Sequence, residues 1–399
     1  MKRFSYRAMK KDGSRLEGEY EANTRNEVVN MITSNGFYPL KIEELSAKSP
    51  LSFSFNKRVG TKDLAIFCRQ LYTMLDAGVS ITNALNMLAT QVTNPRLKTI
   101  TGEIEEAVKK GDMLSEAMGR YKEFPKLLIS MIESGEATGN IDEMMLRMSV
   151  QFEKENKTNN KVRSAMIYPV ILIVVSIVAV AFILTFVMPT FMEMFTQEDI
   201  ELPMITKVLI GLSGFLRSYF IPIIIVIVAL FVAIRAFKIT PKGKEFFGKL
   251  ALTFPVVAEL NKKIIVARFT RTMSTLLSAG ISLIQALPTA GAVLNNVIAE
   301  KELEKVREKV VRGEGLSGPI SECTIFPEML SSMIKIGEES GSLDDILNKT
   351  ADFYDEEVDQ AITATTELIQ PVLIAIMGIV VGGIVMAIML PMFDMYSAM

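Results

Sequence analysis

One run of glycines has the spacing of a dinucleotide-binding loop. Gly313, Gly315 and Gly318 fit the pattern GxGxxG, whose backbone N–H groups hold a pyrophosphate where a strand turns into a helix. Here a charged helical segment, residues 301–312, precedes the glycines instead of a strand. We therefore interpret the run as a turn between helices, and we expect no nucleotide or other cofactor.

Other residue types that carry catalysis are missing from the sequence. There is no histidine, which removes imidazole metal sites, Ser-His-Asp triads and histidine proton shuttles. There is no GxxxxGK[ST] phosphate loop, since Glu245 follows Gly243 and Lys244. Cys68 and Cys323 form no CxxC pair and are interpreted as buried free thiols. The sequence thus predicts no enzyme and no catalytic or metal site, and a partner must supply the energy for any work.

Two Gly-Glu-x-x-Gly motifs, residues 135–139 and 337–341, contain Glu136 and Glu338. In a structural interpretation their glycines end one helix and start the next, and the glutamate caps the bend. In a functional interpretation the glutamates contact a partner, or bind a cation weakly if another carboxylate lies near. We favour the structural interpretation.

Acidic residues cluster near the C-terminal third of the chain. The cluster consists of Asp352, Asp355, Glu356, Glu357 and Asp359. It is interpreted as a solvated helix face, with a docking surface as the alternative. The net charge is −2 and no strongly basic stretch occurs, so no nucleic-acid partner is expected.

Three apolar stretches, residues 165–189, 218–236 and 368–391, are long enough to cross a bilayer. The second is only just long enough, and the alternative is that it begins earlier, near Val208, with Arg217 reaching to an interface. The first and third contain no charge, which opposes a transporter or channel, since such proteins carry polar groups along a path through the membrane. Lysine and arginine precede the first stretch and follow the second, and none follows the third. The positive-inside rule therefore predicts a cytoplasmic N-terminus and an extracytoplasmic C-terminus.

An internal duplication runs at a constant offset of 202 positions (269 minus 67) without insertion. It pairs the following residues: Phe67 with Phe269, Arg69 with Arg271, Gly78 with Gly280, Phe124 with Phe326, Pro125 with Pro327, Gly135 with Gly337, Glu136 with Glu338, Gly139 with Gly341, and Pro169 with Pro371. The repeating unit is a soluble helical bundle followed by a membrane helix. Because the second span reverses the chain direction, both bundles are expected on one side of the membrane.

Helix signals divide each copy into short segments. Asn94 and Pro95 form an N-cap followed by proline at the first helical position. Pro125 starts a helix that we expect to end near Gly135. A last helix begins near Ile141 and shows no breaker before Tyr168, so it is expected to run unbroken into the first span as a stiff lever.

The predicted fold class is an all-α polytopic membrane protein with two repeated cytoplasmic bundles, three transmembrane helices and a small N-terminal ββαβ domain. The predicted boundaries are a small α/β domain at 1–45, a linker at 46–60, the first bundle at 61–164, the first span at 165–189, an extracytoplasmic loop at 190–217, the second span at 218–236, the second bundle at 237–367, the third span at 368–391 and an extracytoplasmic tail at 392–399. Gly378 and Gly382 form a GxxxG in the third span, which either packs helices closely or is a chance occurrence.

These residues together resemble one family, the GspF/PilC-type inner-membrane platform proteins of type II secretion and type IV pili. The resemblance covers nearly the whole chain. It rests on Phe67-x-Arg69 to Gly78 and its copy, the Phe-Pro and Gly-Glu-x-x-Gly motifs, Tyr168-Pro169 before the first span, and the N-terminal Phe4-x-Tyr6-x-Ala8. One departure is Ala258, where members often have glycine.

The resemblance implies a scaffold without its own chemistry in the inner membrane, beneath a growing pilus. It implies a homo-oligomer that docks a hexameric assembly ATPase and contacts pilins or pseudopilins in the lipid bilayer, together with other inner-membrane assembly proteins. A type IV pilus machine is favoured, and the platform of a type II secretion system is the alternative. A transporter component and a membrane-bound enzyme are weaker alternatives.

Overall fold

A computed structural model describes residues 2–9, 15–22, 24–45, 58–191 and 203–398. The chain divides into two compact units, Met1–Lys57 and Arg58–Met399. Most of the predicted linker, residues 46–57, lies outside the described residues.

The first unit is a three-stranded antiparallel sheet with one helix. Its elements are β1 (Lys2–Met9), β2 (Arg15–Ala22), α1 (Arg25–Ser34) and β3 (Tyr38–Leu45), and the strand order is β2-β1-β3. Phe4 and Ala8 of the central strand are buried with Val28 and Ile32 of the helix, because alternate residues of a strand point to one face. The predicted ββαβ domain is confirmed.

The second unit contains two series of six helices in the same order. The first series is α2 (Thr61–Asp76), α3 (Ile81–Gln91), α4 (Pro95–Lys109), α5 (Leu114–Gly119), α6 (Lys126–Thr138) and α7 (Ile141–Phe182). Between the series lie α8 (Met204–Ser218), α9 (Phe220–Ile239) and α10 (Pro241–Thr253). The second series is α11 (Pro255–Ser278), α12 (Leu283–Val293), α13 (Val297–Val311), α14 (Ser317–Ser321), α15 (Glu328–Ser340) and α16 (Leu343–Ala398).

Local sequence signals explain several of these helix boundaries. The Asn94 side-chain oxygen accepts hydrogen bonds from the backbone N–H groups of Arg96 (3.0 Å) and Leu97 (3.3 Å), so the predicted N-cap of α4 is confirmed. Gly139 adopts a left-handed φ of 77° and ends α6. The expectation that this helix ends near Gly135 is wrong, because that glycine lies inside α6.

Three helices among the described residues are long and apolar enough to cross a membrane, within Ile141–Phe191, Phe220–Ile239 and Leu343–Phe393. The three predicted spans are therefore confirmed as helices. α7 has 42 residues and α16 has 56, and each joins a soluble bundle to a span without interruption. Pro169 and Pro371 lie inside these helices, at the same position of the two copies.

Two predicted boundaries need correction. Residues 190–217 were expected to form a loop, but Met204–Ser218 is helical. The charges of Lys207 and Arg217 interrupt the apolar pattern of this amphipathic segment in the sequence. Residues 192–202 of the expected loop lie outside the described residues. Residues 392–399 were expected to form a separate tail, but α16 continues to Ala398 because no glycine follows Pro391 to end it.

Two hydroxyl groups of helix α8 form hydrogen bonds with the two long helical segments, each close to a proline of that segment. After α7, a π-helical turn (Ile183–Val187) pairs each N–H with the carbonyl five residues earlier, as the Met188 N–H does with the Ile183 carbonyl. In this register the Leu184 carbonyl would pair with residue 189, which is a proline and has no N–H. The Ser213 hydroxyl of α8 donates to that Leu184 carbonyl. In α16, Pro391 likewise leaves the Ala387 carbonyl without a backbone hydrogen-bond donor. The Thr206 hydroxyl donates to this carbonyl at 2.6 Å.

Candidate functional site

The glutamate of each Gly-Glu-x-x-Gly motif binds the start of another helix. Glu136 accepts hydrogen bonds from the Leu114 N–H (2.5 Å), the Ser115 N–H (3.3 Å) and the Ser115 hydroxyl. Glu338 makes the same three bonds to Leu316 and Ser317. The glutamates thus satisfy the free N–H groups at the start of α5 and α14. The prediction that each glutamate caps the bend next to it is wrong, but the role of the glutamates is structural, as the favoured interpretation holds.

The first glycine of each motif allows a close helix approach. A Cβ atom added to Gly135 would lie 3.0 Å from the Cα atom of Ile141, and one added to Gly337 would lie 3.0 Å from the Cα atom of Leu343. Gly139 and Gly341 then end the helices with φ of 77° and 69°, values that favour glycine. The motif therefore folds α6 against α7 and α15 against α16.

The cation alternative for these glutamates receives no support. Within the described ranges, no group of three or more His, Cys, Asp or Glu side chains could hold a metal ion. Both carboxylates already accept backbone and hydroxyl hydrogen bonds.

The remaining motif residues of each repeat stabilise its core. The Phe67 and Phe124 rings are 5.8 Å apart, and the Phe269 and Phe326 rings are 5.1 Å apart. All four side chains are buried and contribute packing energy beyond their buried area. Pro125 and Pro327 occupy the N-cap positions of α6 and α15, and Gly78 and Gly280 take left-handed conformations after α2 and α11.

The arginines of the two repeats bind carboxylates on the two long helices. Arg69 forms a bidentate pair with Glu153, 3.0 Å from either carboxylate oxygen. Arg271 contacts Asp352 at 2.5 Å and Asp355 at 2.7 Å. The Arg69 side chain is 40% exposed and the Arg271 side chain only 11%, so the second pairing is more strongly held.

The contact between the two long helices defines what we call the junction. Its residues are Lys154 and Lys161 of α7, Arg271 of α11, and Asp352, Asp355 and Asp359 of α16. Lys154 lies 3.0 Å from Asp352 and also pairs with Asp355. Lys161 pairs with Asp359. Each lysine of the first repeat therefore neutralises aspartates of the second.

Four of the five carboxylates of the acidic cluster are ion-paired, whereas Glu356 lies on the solvated side of the helix. Asp352, Asp355 and Asp359 belong to the junction, and Glu357 lies 2.8 Å from Lys263 of α11. The hydrogen bond that Lys263 donates to the Glu357 carboxylate raises the pKa of Lys263, against the opposing effect of burial. Sequence inspection could not reveal these pairs, because the partners are far apart in the chain and no local pattern links them.

The junction also has a desolvated part with a small cavity of about 40 Å³. Burial raises the pKa of the Glu155 carboxyl and lowers the pKa of Arg268, and each shift is partly offset by the charge of the other residue. The Gln151 side-chain oxygen and the Arg271 Nε atom are buried and have no hydrogen-bond partner among the described residues. Both residues line the cavity, which is large enough for a water molecule.

The other sequence candidates have structural settings. Gly313 has a φ of 95° in the turn between α13 and α14, so the predicted interhelical turn is observed. Cys68 and Cys323 are buried free thiols, and burial raises the pKa of Cys323 to about 11. A Cβ atom added to Gly378 or Gly382 would meet nothing within 4 Å in the described chain, so the GxxxG brings no other helix of that chain close, and packing between chains stays a prediction.

The two bundles touch each other directly. Besides the junction, the Ser134 hydroxyl of α6 donates a hydrogen bond of 2.9 Å to the Ala279 carbonyl at the end of α11. Both bundles therefore lie on the same side of any bilayer that the spans cross. The arrangement can transmit force between bundle and membrane through α7 and α16, which are coupled at the junction.

Comparison with known proteins agrees with this arrangement. The family model for type II secretion system protein F matches residues 67–189 and again residues 269–391, which is the offset of the internal duplication. The model for the N-terminal domain of the same family matches residues 1–43.

Full-length relatives carry names from two kinds of machine. The chain is 36% identical to type IV pilus assembly protein PilC of Thermus thermophilus, over 99% of this chain and 98% of the relative. It is 35% identical to PilC of Myxococcus xanthus, over 99% and 95%. It is 29% identical to type II secretion system protein F of Vibrio cholerae, over the whole of both chains. The chain belongs to the type II secretion system protein F family, whose members include the PilC proteins of type IV pilus assembly.

Proposed function

We propose that the protein is the inner-membrane platform of a type IV pilus assembly machine. In this role it couples a hexameric cytoplasmic ATPase to the insertion of pilins from the bilayer into the fibre. The protein has no phosphate-binding loop of its own, so the ATPase supplies the energy and the platform transmits it as motion.

The observation that carries this proposal is the continuity of the two long helices. α7 and α16 each begin in a soluble bundle and end in an apolar span, and Lys154 and Lys161 join them at the junction. A rotation of either bundle therefore moves both spans together. Similarity to PilC proteins of pilus assembly supports the pilus.

The proposed orientation places both bundles and the N-terminus in the cytoplasm, with the C-terminus outside. Basic residues support it, since Arg235 and Lys238 lie at the bundle-side end of the second span, and Lys242 and Lys244 follow it. Reporter fusions at residue 60 and at the C-terminus test it. Equal reporter activity at both positions would contradict three membrane crossings.

The second candidate is the platform of a type II secretion system, in which pseudopilins replace pilins. The full-length similarity to the Vibrio cholerae secretion protein favours it. Deletion of the gene distinguishes the two: loss of surface fibres with normal protein secretion supports the pilus, and the reverse supports secretion. A homo-oligomer and contacts with further inner-membrane assembly proteins are part of either proposal.

The lever is tested by breaking α7 between bundle and span. Asn159 and Asn160 are exposed at that point, and two prolines there remove backbone hydrogen bonds and bend the helix. The N159P/N160P variant should lose surface fibres while remaining in the membrane at normal levels. The control N159A/N160A removes the same side chains but keeps the helix, and it should assemble fibres. Normal fibres from the proline variant would refute the lever.

A further inference from the structure

Helix α10 lies outside both repeats and has an apolar face that none of the described residues covers. It follows the second span after one residue, Thr240. Phe246 is 58% exposed, Leu250 is 44% exposed, and Phe254, the residue just after the helix, is 51% exposed. Residues four apart lie on one face of a helix, so these three side chains form one apolar strip.

The opposite face of α10 holds it against the second bundle. Glu245 lies 3.0 Å from Lys301 of α13. The Asn296 amide donates to the Gly248 carbonyl at 3.1 Å, and the Asn261 amide donates to the Ala251 carbonyl at 3.1 Å. The direction of the apolar strip is therefore fixed, and the strip points away from the bundle.

The turn between the span and α10 is also fixed. The Thr240 hydroxyl accepts a hydrogen bond from the Gly243 N–H at 3.1 Å. A Cβ atom on Gly243 would lie 1.8 Å from the Phe237 carbonyl oxygen, so only glycine allows this approach. The Phe237 ring at the end of the span lies 6.5 Å from the Phe246 ring. The strip thus begins where the span leaves the hydrocarbon.

Positive charges border the strip. On a helical projection Lys242 and Lys249 lie beside Phe246, while Lys244 lies on the far side. Lys238, in the last turn of the span, lies 4.8 Å from the centre of the Phe247 ring. An apolar strip flanked by lysines and aromatic rings is the pattern of a helix that lies in a membrane surface and attracts anionic lipids.

We propose that α10 lies in the membrane surface next to the second span, with its strip among the acyl chains and its lysines bound to anionic phospholipid headgroups. This surface would orient the second bundle relative to the bilayer. The inference requires the three membrane spans and is independent of the ATPase and pilin partners.

The test uses the absence of tryptophan from the sequence. In F246W, the introduced tryptophan is the sole one in the full-length protein. The purified variant is reconstituted into nanodiscs whose phosphatidylcholine is brominated high on the acyl chains. Because interfacial helices insert about 5–10 Å below the surface, its fluorescence should fall by about twofold. I225W in the span is the positive control, and F353W, an exposed position on the bundle part of α16, should be unaffected.

The lipid preference is tested with the same reporter. Replacing brominated phosphatidylcholine by equally brominated phosphatidylglycerol should increase quenching of F246W. In a K242Q/K249Q background the affinity for phosphatidylglycerol relative to phosphatidylcholine should fall about fivefold for each lysine replaced. K335Q/K349Q removes two exposed lysines elsewhere on the second repeat and should keep the preference.

Contrary results are distinct. A water-accessible F246W tryptophan that bromolipid does not quench would overturn the proposal. A shielded tryptophan without bromolipid quenching would also overturn it, in favour of a second copy covering the strip. If F246W fails to fold, F254W reports on the same strip with the same expectation. Loss of fibres in the α7 proline variant has no bearing on these results.

Discussion

The two repeats share one framework but differ in how their arginines are used. Arg69 meets a single carboxylate and remains 40% exposed, whereas Arg271 binds two aspartates and is 11% exposed. Lys154 of the first repeat binds the same two aspartates. One copy of a duplicated ion pair thus became part of a contact between the copies, while the other remained internal to its bundle.

The largest expected effect is at this arginine pair. R271A leaves Asp352 and Asp355 with Lys154 as their one cationic partner among the described residues, and we expect a loss of about 2–3 kcal/mol in unfolding free energy. R69A, which breaks an exposed pair, should cost less than about 1 kcal/mol. Thermal unfolding of the purified variants in detergent measures both. Equal losses would show that the junction does not distinguish the repeats.

A second comparison tests the close helix approach that both repeats share. G135A and G337A place a Cβ atom 3.0 Å from a neighbouring Cα atom, and each should destabilise by about 1–3 kcal/mol. G102A is the matched control, since no atom of the described residues lies within 4 Å of a Cβ added there. It lies inside α4 and should stabilise by about 0.5–1 kcal/mol. Unfolding curves that rank G102A with the other two would contradict the packing argument.

A third comparison concerns the helix-capping glutamates. E136Q and E338Q keep the shape of the side chain but remove its charge, and each should cost about 1 kcal/mol. The cost should be the same in both repeats because the hydrogen bonds are the same. E133Q, at an exposed position of the same helix, should change little. A cation-dependent stability in the wild type that E136Q abolishes would instead support a metal role.

The smallest effect has opposite signs in the two repeats. Glu155 and Glu357 occupy equivalent positions, but burial raises the pKa of Glu155 while Glu357 pairs with Lys263. E155Q should raise the unfolding temperature and E357Q should lower it. A raised folded-state pKa disfavours the ionised form, so the gain from E155Q should grow as the pH rises above the unfolded-state pKa and vanish below about pH 4. A gain that is independent of pH would assign it to packing.

Much of the architecture could be predicted because it depends on local or periodic signals. Uncharged apolar runs marked the spans, and a constant offset from Phe67 to Pro391 marked the repeat. Asn94 before Pro95 marked a helix start. These features depend on the chemistry of near neighbours in the chain, which the sequence displays directly.

The functional contacts depended on partners that the sequence does not place. Glu136 caps a helix that begins 22 residues earlier, and Lys154 meets an aspartate 198 residues away. Helix α8 was assigned to a loop because Lys207 and Arg217 interrupt its apolar pattern, although an earlier start of the second span near Val208 was the alternative. Thr206 and Ser213, seven residues apart on one face, were the available signal that it packs against other helices.

The hydroxyl groups of α8 bear on where the platform can bend. A proline in a long rod normally creates its softest point, because one rung of the backbone ladder is absent. Here the hydroxyls of Ser213 and Thr206 replace the backbone hydrogen bonds that Pro189 and Pro391 remove. One short helix therefore supports both long helical segments at the same end. Flexing under load should therefore concentrate at Pro169 and Pro371, nearer the bundles, and leave the far ends of the spans moving as one piece.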